Sequence, residues 1–288
     1  MTTSFADAVT TWYAVSARDL PWRRSGVSPW GVLVSEVMLQ QTPAARVEPV
    51  WTQWMSHWPD PAALAAEPSG AAVRAWGRLG YPRRALRLHE CAVAIRDRHD
   101  GVVPDSSEAL LELPGIGAYT AAAVATFAFG QPHAVLDTNV RRVYARVFDG
   151  AADAPSSSPG RAEREAALSR VTTERPDRYS VAVMELGALV CTARGPDCGR
   201  CPVAGRCAWR AAGHPANGPV RPAQTYAGTD RQVRGRLLAV VREADASVSR
   251  DALDAVWSDT AQRDRALAGL VADGLVELAG PGQYRLPS

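Results

Sequence analysis

Two acidic residues, Glu36 and Asp137, stand in surroundings that give their carboxyl groups opposite duties. Glu36 has Val32, Leu33, Leu39 and Gln40 one helical turn to either side, a face with little polarity. A carboxyl deprived of water there favours its protonated form and suits delivery of a proton near neutral pH. Asp137 follows the apolar run 134–136 and precedes a helical stretch opening at Thr138, the place of an N-cap. A helix N-terminus favours the anion, so Asp137 is expected to stay ionised where Glu36 keeps its proton. One acid and one anion are the minimum equipment for breaking a bond through a cation-like transition state.

Four of the five cysteines crowd together as Cys191, Cys198, Cys201 and Cys207, spaced C-x6-C-x2-C-x5-C. Four thiolates so close, in a chain expected to be cytoplasmic, point to a metal site and away from disulfides. An iron–sulfur cluster or a structural zinc takes such a ligand set, though a single C-x2-C departs from the paired knuckles of zinc sites. Arg194, Arg200, Arg206, Arg210 and Arg221 surround the cysteines with Asp197 against them, a stretch suited to phosphates. Cys91 stands alone in an apolar helical stretch and reads as core. Leu113-Pro114-Gly115-Ile116-Gly117 joins two helical stretches through a glycine turn whose N–H groups, at a helix start, can grip a phosphate. All 32 basic residues are arginine, so no lysine amine exists to form an imine.

These groups must be carried mostly by helices. Ser28-Pro29 pairs a cap with an N1 proline ahead of a helix over 30–41. Further helices are expected over 45–58, 71–77, 82–98, 106–113, 119–129, 138–148, 161–171 and 179–190. Residues 151–160 read as a loop, and 213–226 as a Pro, Gly and Ala-rich linker. Helices over 231–244, 249–257 and 261–273, then strand-like runs around Gly280-Pro281-Gly282, suggest a small winged helix. That module holds eight arginines against nine acids from Tyr226 onward, so it is no obvious basic clamp. Arg263, Arg265, Tyr284 and Arg285 are its candidates for touching duplex DNA; a protein-interaction or lobe-bracing domain is the equal alternative. No apolar run is long enough to span a bilayer, and no secretory leader is evident; the chain is read as cytoplasmic.

Six segments, taken in order, resemble the helix–hairpin–helix DNA glycosylases, and most closely the adenine DNA glycosylases of the MutY type. They are LPWR at Leu20–Arg23, SEVMLQQTP at Ser35–Pro43, RLGYPRRA at Arg78–Ala85, LPGIGAYTA at Leu113–Ala121, VLDTNVRRV at Val135–Val143 and MELGALVCT at Met184–Thr192; the cysteine spacing agrees as well. The resemblance implies an all-α, two-lobed fold with DNA across a cleft. A six-helix lobe over 24–130 would carry the hairpin, and 1–23 with 131–212 would form a lobe holding a [4Fe–4S] cluster on the four cysteines. A linker over 213–227 and the winged-helix-like module over 228–288 would follow.

The implied activity is monofunctional excision, in base excision repair, of adenine mispaired with 8-oxoguanine or guanine and flipped from double-stranded DNA. The protein would work as a monomer. Glu36 would protonate the adenine ring and Asp137 would stabilise the sugar cation, with Tyr119 and Asn139 as polar supports. Trp22, Arg23 and Glu185 would line the adenine pocket, Gln41 and Tyr81 would wedge into the duplex, and Gly115 and Gly117 would hold phosphate. Thr138 and Pro82 depart from the family's usual Gly and second Tyr. The C-terminal stretch is also too short for the family's common Nudix-like domain, which leaves recognition of the opposite base open. An endonuclease III-like lyase would need a lysine where Tyr119 stands. A thymine glycosylase acting on T·G mismatches shares several of these features, although LQQT at Leu39–Thr42 and Glu185 favour adenine. A non-catalytic iron–sulfur DNA-binding redox sensor would need neither carboxylate.

Overall fold

Ser28 accepts a hydrogen bond from the Gly31 N–H (3.2 Å), and Pro29 opens the helix Pro29–Leu39 that carries Glu36. The same device recurs where Asp60 caps Pro61–Ala65, while Pro176 starts Pro176–Leu189. Ser106 caps Ser107–Leu111, the first helix of the hairpin. The structure is a computed structural model that describes residues 4–155, 158–216 and 226–288. Of the expected linker, 217–225 lie outside the described residues.

Most expected helices are present with ends shifted by at most three residues. The stretch expected as one helix over 138–148 is an α-helix, Thr138–Tyr144, running into a π-helical turn, Ala145–Asp149. Such turns widen a helix locally and re-aim side chains, here that of Arg146. Phe5–Ser16, Pro61–Ala65 and Ala208–Ala211 are helices that the pattern of apolar residues did not mark.

The chain divides into two compact units, one of 1–36, 105–112 and 116–220, the other of 37–104, 113–115 and 221–288. In the first unit Val9, Val140, Val143, Tyr179, Val183 and Leu186 form the core, with Phe5 edge-on to Tyr144, Phe148 and Tyr179. In the second, Trp54 meets Trp58 and Trp76 edge-on beside buried Leu64, Leu88 and Ile95. The segment expected as one lobe over 24–130 is thus shared between the units, and the C-terminal segment groups with 37–104.

That C-terminal segment has the expected helices, Asp230–Glu243, Arg250–Asp254 and Thr260–Ala272, and the hairpin Glu277–Gly280 with Gln283–Arg285. A two-residue strand, Val248–Ser249, adds a third antiparallel member, and Gln283–Arg285 lies between the other two. Arg263 is buried, and its guanidinium is spent on Asp254 (2.9 Å) and two carbonyls, so it is not the exposed DNA contact its sequence position suggested. Arg285 pairs with Glu277 (2.7 Å). Among the described residues no helix is long and apolar enough to cross a membrane.

Candidate functional site

Glu36 and Tyr119, 83 positions apart, meet in the first unit: the Tyr119 hydroxyl donates to Glu36 Oε2 at 3.0 Å. Glu36 is 6% exposed, on the helix Pro29–Leu39. Burial pushes its carboxyl up to about 7; the Tyr119 bond and the Arg23 charge pull down, and Asp137 adds to the rise. Tyr119 sits in the first turn of Ala118–Phe129, and burial, helped by Glu36, keeps its phenol protonated as a donor. A half-protonated carboxyl near pH 7, held by a fixed donor, is a poised general acid.

Asp137 caps Thr138–Tyr144, accepting from the Val140 N–H at 2.6 Å and from Asn139 Nδ2 at 2.9 Å. Those bonds favour the anion, as the capping position implies. Burial outweighs them, and the net shift of its carboxyl is upward, not downward. What distinguishes the two carboxyls is their bonding: Asp137 accepts from the Val140 N–H and Asn139 Nδ2, bonds that favour its anion, whereas Glu36 has the Tyr119 hydroxyl.

Arg142, which the sequence reading passed over, holds this cap from behind. Its guanidinium donates to Asn139 Oδ1 (2.8 Å), the Gly187 carbonyl (2.7 Å) and the Cys191 carbonyl (2.8 Å). Gly187 has to lack a side chain, because a Cβ there would lie 2.7 Å from Asn139 Cβ. The helices Thr138–Tyr144 and Pro176–Leu189 can therefore approach closely enough for one arginine to span both.

Arg23, in the turn Pro21–Arg23 with buried Trp22, donates to Glu185 Oε2 (2.7 Å). Arg18 grips the same carboxylate with two guanidinium bonds of 2.7 Å and a backbone N–H at 3.1 Å. Burial alone would raise the Glu185 carboxyl, yet the bonds and charges of Arg18 and Arg23 hold it at about 2. Glu185 is thus a fixed anion whose oxygens are engaged by arginines. Arg18 lies outside the LPWR motif, and no spacing rule marked it.

Cys191, Cys198, Cys201 and Cys207 line one small pocket, partly open to solvent, with Val143, Val147, Leu186 and Val203 behind them. None is in a disulfide, and among the described residues no three such side chains converge as a single ion requires. Burial pushes the Cys201 thiol up to about 11 and the Cys198 thiol upward, and the neighbouring thiols add to both, so a cationic centre would favour these thiolates. Arg146 supplies part of the setting: it donates to Cys191 Sγ at 3.4 Å and to the Thr192 carbonyl at 2.8 Å, and stacks on Trp209 at 4.4 Å. Cys91 is buried, its thiol pushed up to about 12 by burial, an inert core group.

Gly115 needs its φ of +75° and also the space beside Arg87, whose Cβ would lie 2.7 Å from an added Cβ. Gly117 starts Ala118–Phe129 without a side-chain cap, and a Cβ there would meet nothing within 4 Å, so an anion can approach this helix start. Gln41 and Tyr81 belong to the second unit, and both take left-handed backbone, φ +55° and +47°. Arg84 links their turns: it donates to the Val37, Met38 and Gln40 carbonyls at 2.7–3.0 Å and to the Gly80 carbonyl at 3.0 Å, and lies over the Tyr81 ring. It also closes the end of the Glu36 helix, whose last carbonyls lack partners of their own.

A profile of the HhH-GPD superfamily base excision DNA repair proteins matches residues 34–169, and one of the iron–sulfur binding domain of endonuclease III matches 191–207. The chain is 57% identical over 277 residues to the adenine DNA glycosylase of Mycolicibacterium smegmatis, covering 96% of this chain and 94% of that protein. The human adenine DNA glycosylase is 40% identical over 71% of this chain and 39% of its own length. Among solved structures, a thermostable thymine-DNA glycosylase superposes with a TM-score of 0.66 at 27% identity, covering 72% of this chain and 95% of that one. A trapped endonuclease III–DNA covalent intermediate superposes at 0.59 and 23%, a likeness of fold.

Proposed function

The chain belongs to the adenine DNA glycosylases of the HhH-GPD superfamily, and we propose that it excises adenine paired with 8-oxoguanine or guanine, with Glu36 as acid and Asp137 as anion. It is a glycosidic-bond hydrolase of base excision repair, acts on DNA and carries a [4Fe–4S] cluster. The observation that carries the mechanism is the buried Glu36 carboxyl, half-protonated near pH 7 and held by Tyr119. In this reading Glu36 hands its proton to the ring of the flipped adenine, which turns the base into a leaving group. As the bond lengthens, positive charge grows on the sugar, and the Asp137 carboxylate faces it. Water then completes the hydrolysis. Trp22 and Arg23 line the base pocket, and Glu185 fixes Arg23 by its charge. Gln41 and Tyr81 hold the opened duplex, and the Gly115–Gly117 turn holds phosphate.

Cys191, Cys198, Cys201 and Cys207 ligate the cluster, and that ligation ties down the arginine-rich loop against the DNA backbone. The protein should purify yellow-brown, with iron and acid-labile sulfide, and Cys201→Ala should lose iron, thermal stability and DNA affinity together. Stoichiometric zinc in place of iron in freshly prepared native protein would contradict the assignment.

With no lysine in the chain and Tyr119 at the hairpin helix, the strand is left intact after base release. Duplexes carrying A opposite 8-oxoguanine, G, C or T, with a T·G duplex alongside, should release adenine fastest from the first two. Strand breaks should follow only after heat or alkali, and borohydride should trap no adduct. Adduct that survives blocking of the N-terminal amine would sink the monofunctional reading, and preferential release of thymine would sink the choice of base.

A further inference from the structure

We infer that the C-terminal segment 228–288 serves excision as a brace for the Tyr81 loop, through Arg242. This rests on the reading of Tyr81 as a residue that wedges into the duplex.

The two helices concerned exchange arginines at their C-terminal ends. Arg74, in the last turn of Ser69–Trp76, donates to the carbonyls of Arg242 and Ala244 at the end of Asp230–Glu243, the latter at 2.9 Å. Arg242 returns a bond to the carbonyl of Gly77, which ends Ser69–Trp76. Carbonyls in the last turn of a helix lack partners within it and carry the negative end of its dipole, so each arginine completes the other helix. The Gly70 N–H donates to the Pro287 carbonyl at 2.9 Å, and Arg83 reaches Asp273 at 3.4 Å, which seats the segment on the same face at two further points.

The segment 77–81 that follows is held carbonyl by carbonyl. Arg46 takes the Arg78 carbonyl, the Thr42 hydroxyl donates to Leu79 (3.3 Å), and Trp76 Nε1 and Arg84 donate to Gly80 at 2.9 and 3.0 Å. Arg242 takes Gly77, from the C-terminal segment. At the end of this scaffold Tyr81 stands 52% exposed in a left-handed conformation that a tyrosine rarely adopts. Such a backbone persists when its surroundings over-determine it. Of the segment's four DNA candidates, Arg263 is buried against Asp254, while Arg265 and Arg285 sit in exposed pairs with Asp230 and Glu277.

The test uses the full-length, cluster-containing protein carrying R242A, Y81A or both, and R242K. In R242A, amide hydrogen exchange over 77–82 should quicken by about tenfold while the peptides around Glu36 stay unchanged. Single-turnover release of adenine opposite 8-oxoguanine should slow by about five- to tenfold, through misplacement remote from the chemistry. R242K should recover part of both. Because Arg242 acts through the Tyr81 loop, the double variant should be no slower than Y81A alone, whereas general destabilisation would make the two losses multiply. Should R242A loosen the whole segment, R242M keeps the alkyl stem and drops the donor, and the same exchange and coupling are read from it. Unchanged exchange over 77–82, or multiplying losses, overturns the brace. Wild-type excision by Y81A alone would instead overturn the wedge reading, with the exchange result still deciding the brace.

Discussion

Glu36→Gln should slow single-turnover base release by at least about a hundredfold, the lower end of what a positioned acid contributes. The amide keeps the size of the carboxyl and still accepts the Tyr119 hydroxyl at the Oε2 position, so pocket shape and lesion binding should persist. What disappears is a transferable proton. In the parent, the protonated fraction falls as pH rises through about 7, so the rate should decline across that region. The variant's residual rate should lack that limb. A second consequence concerns stability. The folded protein holds this proton up to about pH 7, whereas an unfolded glutamate releases it near 4.5, so folding takes up a proton between those values. Stability from this group is present below 4.5 and is lost as pH rises to 7, a loss of about 3 kcal/mol for a shift of that size. Glu36→Gln should therefore unfold at a higher temperature than the parent at pH 8 and show little advantage at pH 4.5. Near-parental rates in a quenched single-turnover assay would remove Glu36 from the role of acid.

Asp137→Asn should be about as damaging, two to three orders of magnitude in the same assay, because the sugar cation loses its counter-charge. Here the amide also meets a local conflict. Its oxygen can keep the cap on the Val140 N–H, but its nitrogen then faces Asn139 Nδ2, one donor against another. Asn139 cannot readily turn its amide round, since Oδ1 accepts from Arg142, which is held in turn by the Gly187 and Cys191 carbonyls. The helix cap survives, so thermal stability should drop by only a few degrees, in line with a lost hydrogen bond. Iron content should be unchanged. A variant with normal iron and normal rate would show that Asp137 is a cap and nothing more.

Several features were legible without a fold because their physical cause is local. Ser28-Pro29 starts a helix, Asp137 caps one, and four cysteines close in sequence must share a site. The absence of lysine removes imine chemistry whatever the shape of the chain. Gly115 in the hairpin announces a turn, because its φ of +75° is one that other residues take only with strain. Motif order then carried the family, and with it the expectation that these pieces assemble one site.

Other features depended on which distant groups meet, and no spacing encodes that. Tyr119 reaches Glu36 across 83 positions, and Arg18 reaches Glu185 across 167. The capping position of Asp137 is local and legible, but the upward push on its carboxyl comes from burial, a property of the packed whole. Nothing local marks Arg142 or Arg146, yet packing buries both and turns them onto carbonyls and a thiol of the Cys191 loop. An arginine is usually exposed, which makes Arg263 a DNA candidate in the sequence; its salt bridge with Asp254 reverses that default. The seat of the C-terminal segment had no sequence signal either: it rests on backbone carbonyls at two helix ends, and every residue has the same carbonyl. Residue types and local spacing determine which chemistry the chain can perform; which groups lose water, and which arginine finds which acceptor, is decided by tertiary packing alone.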